Sequence, residues 1–175
     1  MRRFTMDSGS TSSPRSAAAD PRRRARLAHG AFDPAAELEA LIAASDGAGA
    51  VVSFTGLTRG HAGAVGMLVL DHHPVLTECS LQDIAAEALA RFDIGAAWVV
   101  HRCGAVPAGE PIVFAGAASR HRRAAFEAAD YMMDRLKTDA VFWKREVGPA
   151  GERWIEPTAG DYDDRSRWNR DDAGN

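Results

Sequence analysis

The chain has 175 residues, 46% of them hydrophobic and 26% charged, with a formal net charge of -3. That balance fits one soluble globular domain with a true core and argues against a protein that coats nucleic acid or an anionic membrane; no apolar run approaches the ~20 residues of a membrane helix. Its two cysteines, Cys79 and Cys103, show no CxxC spacing, so neither a disulfide framework nor a zinc knuckle is indicated and the cytoplasm is the expected compartment.

Residues 1–28 hold seven arginines, several serines, two acids and almost no bulky apolar residue, which predicts a disordered Arg/Ser-rich arm. The same composition marks transit peptides, although a plain unstructured extension is the simpler reading. The folded domain is expected over residues 29–160, and the polar stretch 161–175 reads as a second disordered tail in which Trp168 is the one large apolar group. Within the domain, Asp33-Pro34 opens a short helix in the favoured cap-then-proline order, with Leu38, Leu41 and Ile42 on one face. Strands follow at Gly49–Thr55 and Met67–His72, joined by the glycine-rich loop GLTRGHAGAVG. Leu81, Ile84, Ala85, Ala88, Leu89 and Phe92 repeat at helical spacing. Strands at Ala96–His101 and Ile112–Ala117 flank the turn PAGE, and a third helix buries Ala125, Ala128, Ala129, Met132, Met133 and Leu136. Val141–Val147 and Arg153–Glu156 form a C-terminal hairpin, completing an α+β domain with mostly antiparallel strands.

Three constellations carry candidate chemistry. In Ser119-Arg120-His121-Arg122-Arg123 a serine cap, free backbone N–H groups and several cations coincide where the third helix begins. Arginines normally favour the other end of a helix, so their presence here points to a bound anion such as phosphate, against the plainer alternative of a solvated basic turn. Arg59 and His61 lie in the glycine-rich loop, where backbone can approach a ligand closely, but no GxGxxG or P-loop pattern is present and neither a dinucleotide nor ATP is implied. The stretch LKTDAVFWKRE sets Lys137 and Lys144 around an apolar run, with Arg145 and Glu146 beside them. Alternation puts Phe142, Lys144 and Glu146 on one strand face and Trp143 and Arg145 on the other. Desolvation would lower a lysine pKa there and a carboxylate would raise it, so either form of the amine is open, as is an ordinary exposed ion pair. His72, His73, His101 and His121 match no HxxxH or HExxH spacing, and no metal is expected.

Taken together, GAVVSFTGLTRGH, DHHP followed by TE, HRCGAVPAGE, SRHRRAAFEAADYMMDRLKTDAVFWKRE and GERWIE resemble, in order, the large catalytic subunit family of molybdopterin synthase. The resemblance runs from about Gly47 to Glu156. It implies an α/β hammerhead-type fold and an enzyme without cofactor that moves sulfur from a ubiquitin-like small subunit, whose C-terminal Gly-Gly ends in a thiocarboxylate, to cyclic pyranopterin monophosphate. The product is the molybdopterin dithiolene, and the assembly is a homodimer of large subunits at the core of a heterotetramer. Carried across by position, Lys137 and Lys144 are the catalytic lysines, Arg59, His121 and Arg122 bind substrate, and Arg145 and Glu146 join the binding set. The chain departs from the family pattern at Leu57, where a lysine is common, and at Pro157-Thr158-Ala159, where an arginine is common. A non-catalytic adaptor gripping a ubiquitin-like carrier is the alternative function, and a basic-helix nucleic-acid binder is a more distant one. His121 and Lys137 are 16 positions apart on one predicted helix, a separation of roughly 24 Å, so a pocket using both must be shared between two chains.

Overall fold

The computed structural model describes residues 20–59 and 66–169. Two four-stranded sheets organise the chain. The first runs in the order β1 (Arg23–Ala28), β4 (Ala96–Arg102), β6 (Pro111–Ser119), β2 (Ala50–Leu57), and the second β5 (Gly104–Pro107), β3 (Met67–His72), β7 (Phe142–Gly148), β8 (Gly151–Ile155). Only the β1–β4 pairing is parallel among the described ladders.

The first sheet is covered on both faces, which explains why all seven residues of β4 are buried. Val99, Val113, Ala115 and Ala117 pack against Leu81, Ile84, Ala85 and Ala88 of α2 (Pro74–Arg91) and Ala128, Met132 and Leu136 of α3 (Arg122–Thr138). Each large side chain buried there contributes about 1.5–3 kcal/mol. On the opposite face Trp98, Val100, Phe114 and Ala118 receive Leu41 of α1 (Pro34–Ala43). Close approach on that face requires Gly116, since a Cβ there would stand 2.6 Å from Leu41 Cδ2. The Met132–Met133 pair belongs to the core, Met132 fully buried and Met133 packed against it.

The two sheets join at a corner. β4 ends at Arg102 in the first sheet, β5 begins at Gly104 in the second, and Gly104 takes the left-handed backbone (φ 76°) that lets the chain turn between them.

Both predicted disordered ends are ordered where the structure describes them. Residues 23–28 are not part of an unstructured arm: they add β1 to the first sheet, with Ala25 and Leu27 toward the α2 and α3 core. Their arginines are balanced by Glu37 of α1, which lies 2.5 Å from Arg26 Nη2 and 3.5 Å from Arg24, and which accepts from Trp98 Nε1 at 3.2 Å. Composition alone missed this because the apolar residues are small and the neutralising acid is distant in sequence. Residues 1–19 lie outside the described set. The predicted polar tail instead begins with α4 (Ala159–Ser166) and a 3-10 turn at Arg167–Asn169. Trp168 packs edge-on against Phe92 and Tyr131, donates to Asp134 at 2.7 Å, and Arg167 bonds Asp130 and Asp134. Acids spaced along α3 thus dock a segment too polar to fold alone; residues 170–175 again lie outside the described set.

Candidate active site

The C-terminal end of α3 carries the first half of the site. Lys137 sits in its last turn, over half exposed, with Nζ 3.8 Å from Asp161 Oδ1. Asp161 is held by a capping box: Thr158 N–H and Oγ–H donate to its carboxylate at 2.7 Å, and its own N–H donates back to Thr158 Oγ1. Those hydrogen bonds, led by the Thr158 backbone, hold the Asp161 carboxyl below the usual carboxylate range, with Lys137 and Lys144 adding to the effect.

Lys144 stands in the middle of β7, opposite Leu70 of β3 and Ile155 of β8. Burial pushes its ammonium below the ordinary lysine range, the charge of Lys137 pushes further, and Asp161 partly opposes. Behind it His101, buried and stacked 4.3 Å from Phe142, is driven down to about 3, first by burial and in smaller part by Lys144, so its ring is neutral. In front, Phe142, Trp143, Lys144, Trp154, Glu156 and Pro157 line an open cavity of about 250 Å³. Trp143 and Trp154 are more than half exposed at its rim.

The N-terminal end of α3 is built differently. His121 occupies the cap position with extended backbone (φ -126°, ψ 134°) and no side-chain cap bond, so its ring is left for other use. Ser119 is therefore not the predicted cap: its hydroxyl donates to the Asp93 carbonyl and accepts from the His121 N–H at 3.2 Å, fixing the turn one step earlier. His121, Arg122, Arg123, Phe126 and Glu127 line a shallow basin of about 420 Å³. Arg123 leans toward Glu127 at 3.7 Å, whereas no carboxylate among the described residues pairs with Arg122. A helix start with free N–H groups and an unneutralised guanidinium is an anion-binding arrangement.

One chain does not bring these halves together. β6 ends where α3 begins, and α3 folds back over β6 and β2, so its C-terminal end lies toward His101 and Phe142, at the far end of the sheet from His121. Arg59, exposed just beyond β2, falls at the same far end, because the backbone of Thr58 bonds Glu110 and Gly109 of the turn before β6. His61 lies outside the described residues. Arg145 points away from Lys144 as strand alternation requires; it holds Asp71 and Glu152 and covers the Trp154 ring. Glu146 accepts from Arg153 at 2.7 Å across the hairpin. Sequence reasoning missed Asp161, although Thr158-Ala159-Gly160-Asp161 fits the capping-box pattern, and it missed His101 as the neutral wall behind Lys144.

The family model described as MoaE protein matches residues 27–139. The chain is 46% identical over 140 residues to the molybdopterin synthase catalytic subunit of Caulobacter vibrioides, covering 80% of this chain and 93% of that protein. It is likewise 46% identical to the molybdopterin synthase catalytic subunit of Escherichia coli, over 73% of this chain and 86% of that one. Among solved structures, molybdopterin cofactor biosynthesis protein E from Burkholderia multivorans superposes with a TM-score of 0.72 at 38% identity, covering 84% of this chain and 97% of its own. The chain belongs to the MoaE family, whose members among its curated relatives are molybdopterin synthase catalytic subunits.

Proposed function

We propose that this protein is the catalytic subunit of a molybdopterin synthase, a sulfurtransferase of molybdenum cofactor biosynthesis working in the cytoplasm. It takes sulfur from the C-terminal thiocarboxylate of a ubiquitin-like small subunit and delivers it to cyclic pyranopterin monophosphate. The observation that carries this reading is the coupled pair of lysines: Lys144, half-buried and pushed down by burial and by Lys137, faces an aromatic cavity open to the surface. A thin, flexible Gly-Gly tail suits entry to this cavity, and a lysine whose ammonium gives up its proton more readily than usual is suited to carry protons while the thiocarboxylate sulfur bonds a pterin-side carbon, oxygen leaves that carbon as water, and water then cleaves the thioester to free the carboxylate. Lys137, braced by Asp161, places positive charge where an oxyanion develops.

His121 and Arg122 bind the substrate's cyclic phosphate from the neighbouring subunit, with Arg59 reaching the pocket from the lysine end. Phe126, exposed beside His121 and Arg122, suits a surface that a second chain covers. Arg145 and Glu146 act on substrate by holding the β7–β8 hairpin that carries Lys144. The assembly is a homodimer core with one small subunit at each end. Incubation with cyclic pyranopterin monophosphate and a thiocarboxylated small subunit, scored for dithiolene product, tests the activity. Absence of product with a competent carrier would overturn it.

A further inference from the structure

The corner between the two sheets gathers three metal-ligating side chains from distant parts of the chain. His29 follows β1, His72 ends β3 and Cys103 lies between β4 and β5, yet one ligand atom from each falls within 4.8 Å of both others. Cys103 Sγ is already 3.3 Å from His29 Nδ1, and the His29 and His72 rings meet edge to face at 5.6 Å between centroids. Around a tetrahedral zinc ion, with bonds of about 2.1 Å to nitrogen and about 2.3 Å to sulfur, donor atoms stand about 3.5 Å apart. The remaining closure is within the reach of small side-chain rotations. A weak thiol–imidazole hydrogen bond accounts for the first contact but gives His72 no role.

We propose that His29, His72 and Cys103 bind a soft divalent transition metal, zinc foremost, through two imidazoles and a thiolate with a fourth position open to water. The expectation of no metal rested on spacing along the chain, and here the spacing is created by the fold. Two features of the surroundings favour it. His73, next in sequence, is committed elsewhere, its Nδ1 accepting the Val75 and Leu76 N–H groups at the start of α2. The neighbouring Arg102 guanidinium turns to Glu110 at 2.5 Å, the Pro111 carbonyl and the Ala105 carbonyl. Thiolate and imidazole donors select zinc, cobalt or copper over magnesium or calcium. Bound there, the ion cross-links the first sheet, the second sheet and the residue that joins them, so its binding energy becomes folding energy. The proposal does not depend on the sulfur-transfer activity.

The test uses the untagged full chain, reduced, stripped with chelator, and exposed to micromolar zinc or cobalt. About one zinc per chain should survive gel filtration, cobalt should give thiolate charge-transfer bands, and saturating zinc should raise the melting temperature by on the order of 5–10 °C. Cys103→Ala should abolish the charge-transfer bands, His29→Ala should weaken zinc binding at least ~10-fold, and Cys79→Ala should change neither. His29 is exposed, so its replacement leaves the core intact even where the cysteine variant folds poorly. Substoichiometric zinc, or full retention in His29→Ala, would overturn the site.

Discussion

At its C-terminal end α3 presents Lys137 to a braced carboxylate and to the charge of Lys144, which itself lines an aromatic cavity; at its N-terminal end it leaves His121 and Arg122 over an open basin, with no carboxylate paired to Arg122 among the described residues. The first end is electrostatically complete within one chain, because burial and neighbouring charge tune Lys144, and Asp161 pairs with Lys137, before any ligand arrives. The second is incomplete: Glu127 answers Arg123, but Arg122 has no carboxylate partner among the described residues. One helix thus serves two environments, one suited to proton transfer and the other to capture of an anion.

The largest effect should come from the complete end. Lys137→Ala and Lys144→Ala should each lower dithiolene formation by ~100-fold or more, with folding preserved in the circular dichroism spectrum. Near-normal turnover in both would break the distinction. Next, inactive His121→Ala and inactive Lys137→Ala proteins, mixed and allowed to exchange subunits, should recover about a quarter of wild-type activity, since half the dimers are mixed and each holds one intact pocket of two. If subunits exchange without any recovery, the two ends do not meet across a dimer.

The third outcome concerns the segment that docks along α3 beyond α4. Trp168→Ala should destabilise the fold by about 2 kcal/mol, read by urea denaturation, because it removes a ring packed on Phe92 and Tyr131. The smallest effect is expected from Asp161→Asn, at about 10-fold or less in turnover. Its sharper signature lies in the pH profile. Asp161 favours the charged form of Lys144, so its removal lowers the lysine pKa further, and the acid limb of a reaction needing neutral Lys144 should move to lower pH. A shift to higher pH, or none, would assign that limb to another group.

Sequence and structure agree where a signal was local. The helix opened by Asp33-Pro34, the strand Met67–His72, the α3 core face and the C-terminal hairpin were all legible as periodicity or turn chemistry. The motif block from His121 to Glu146, with its paired lysines, also led to the right family. What stayed hidden depends on distant partners. β1 is held by Glu37 and by pairing with β4, α4 is held by acids on α3, and the carboxylate facing Lys137 comes from a segment that reads as a polar tail. Ser119 was misread as a cap because its hydroxyl has a competing partner in Asp93, 26 positions earlier. Alternation along β7 separated Lys144 from Arg145 correctly, but nothing local showed that Arg145 would be absorbed by Asp71 and Glu152.

The corner at Gly104 makes the sheet carrying Lys144 a bracket fixed to the sheet beneath α3. No atom crowds the position a Cβ would take there, so replacing the glycine costs only its left-handed backbone, about 1 kcal/mol. That modest strain is applied at the elbow of the bracket, where a few degrees of rotation become displacement several residues away along β3 and β7. The placement of Lys144 against α3 thus rests in part on a backbone turn made at a residue with no side chain.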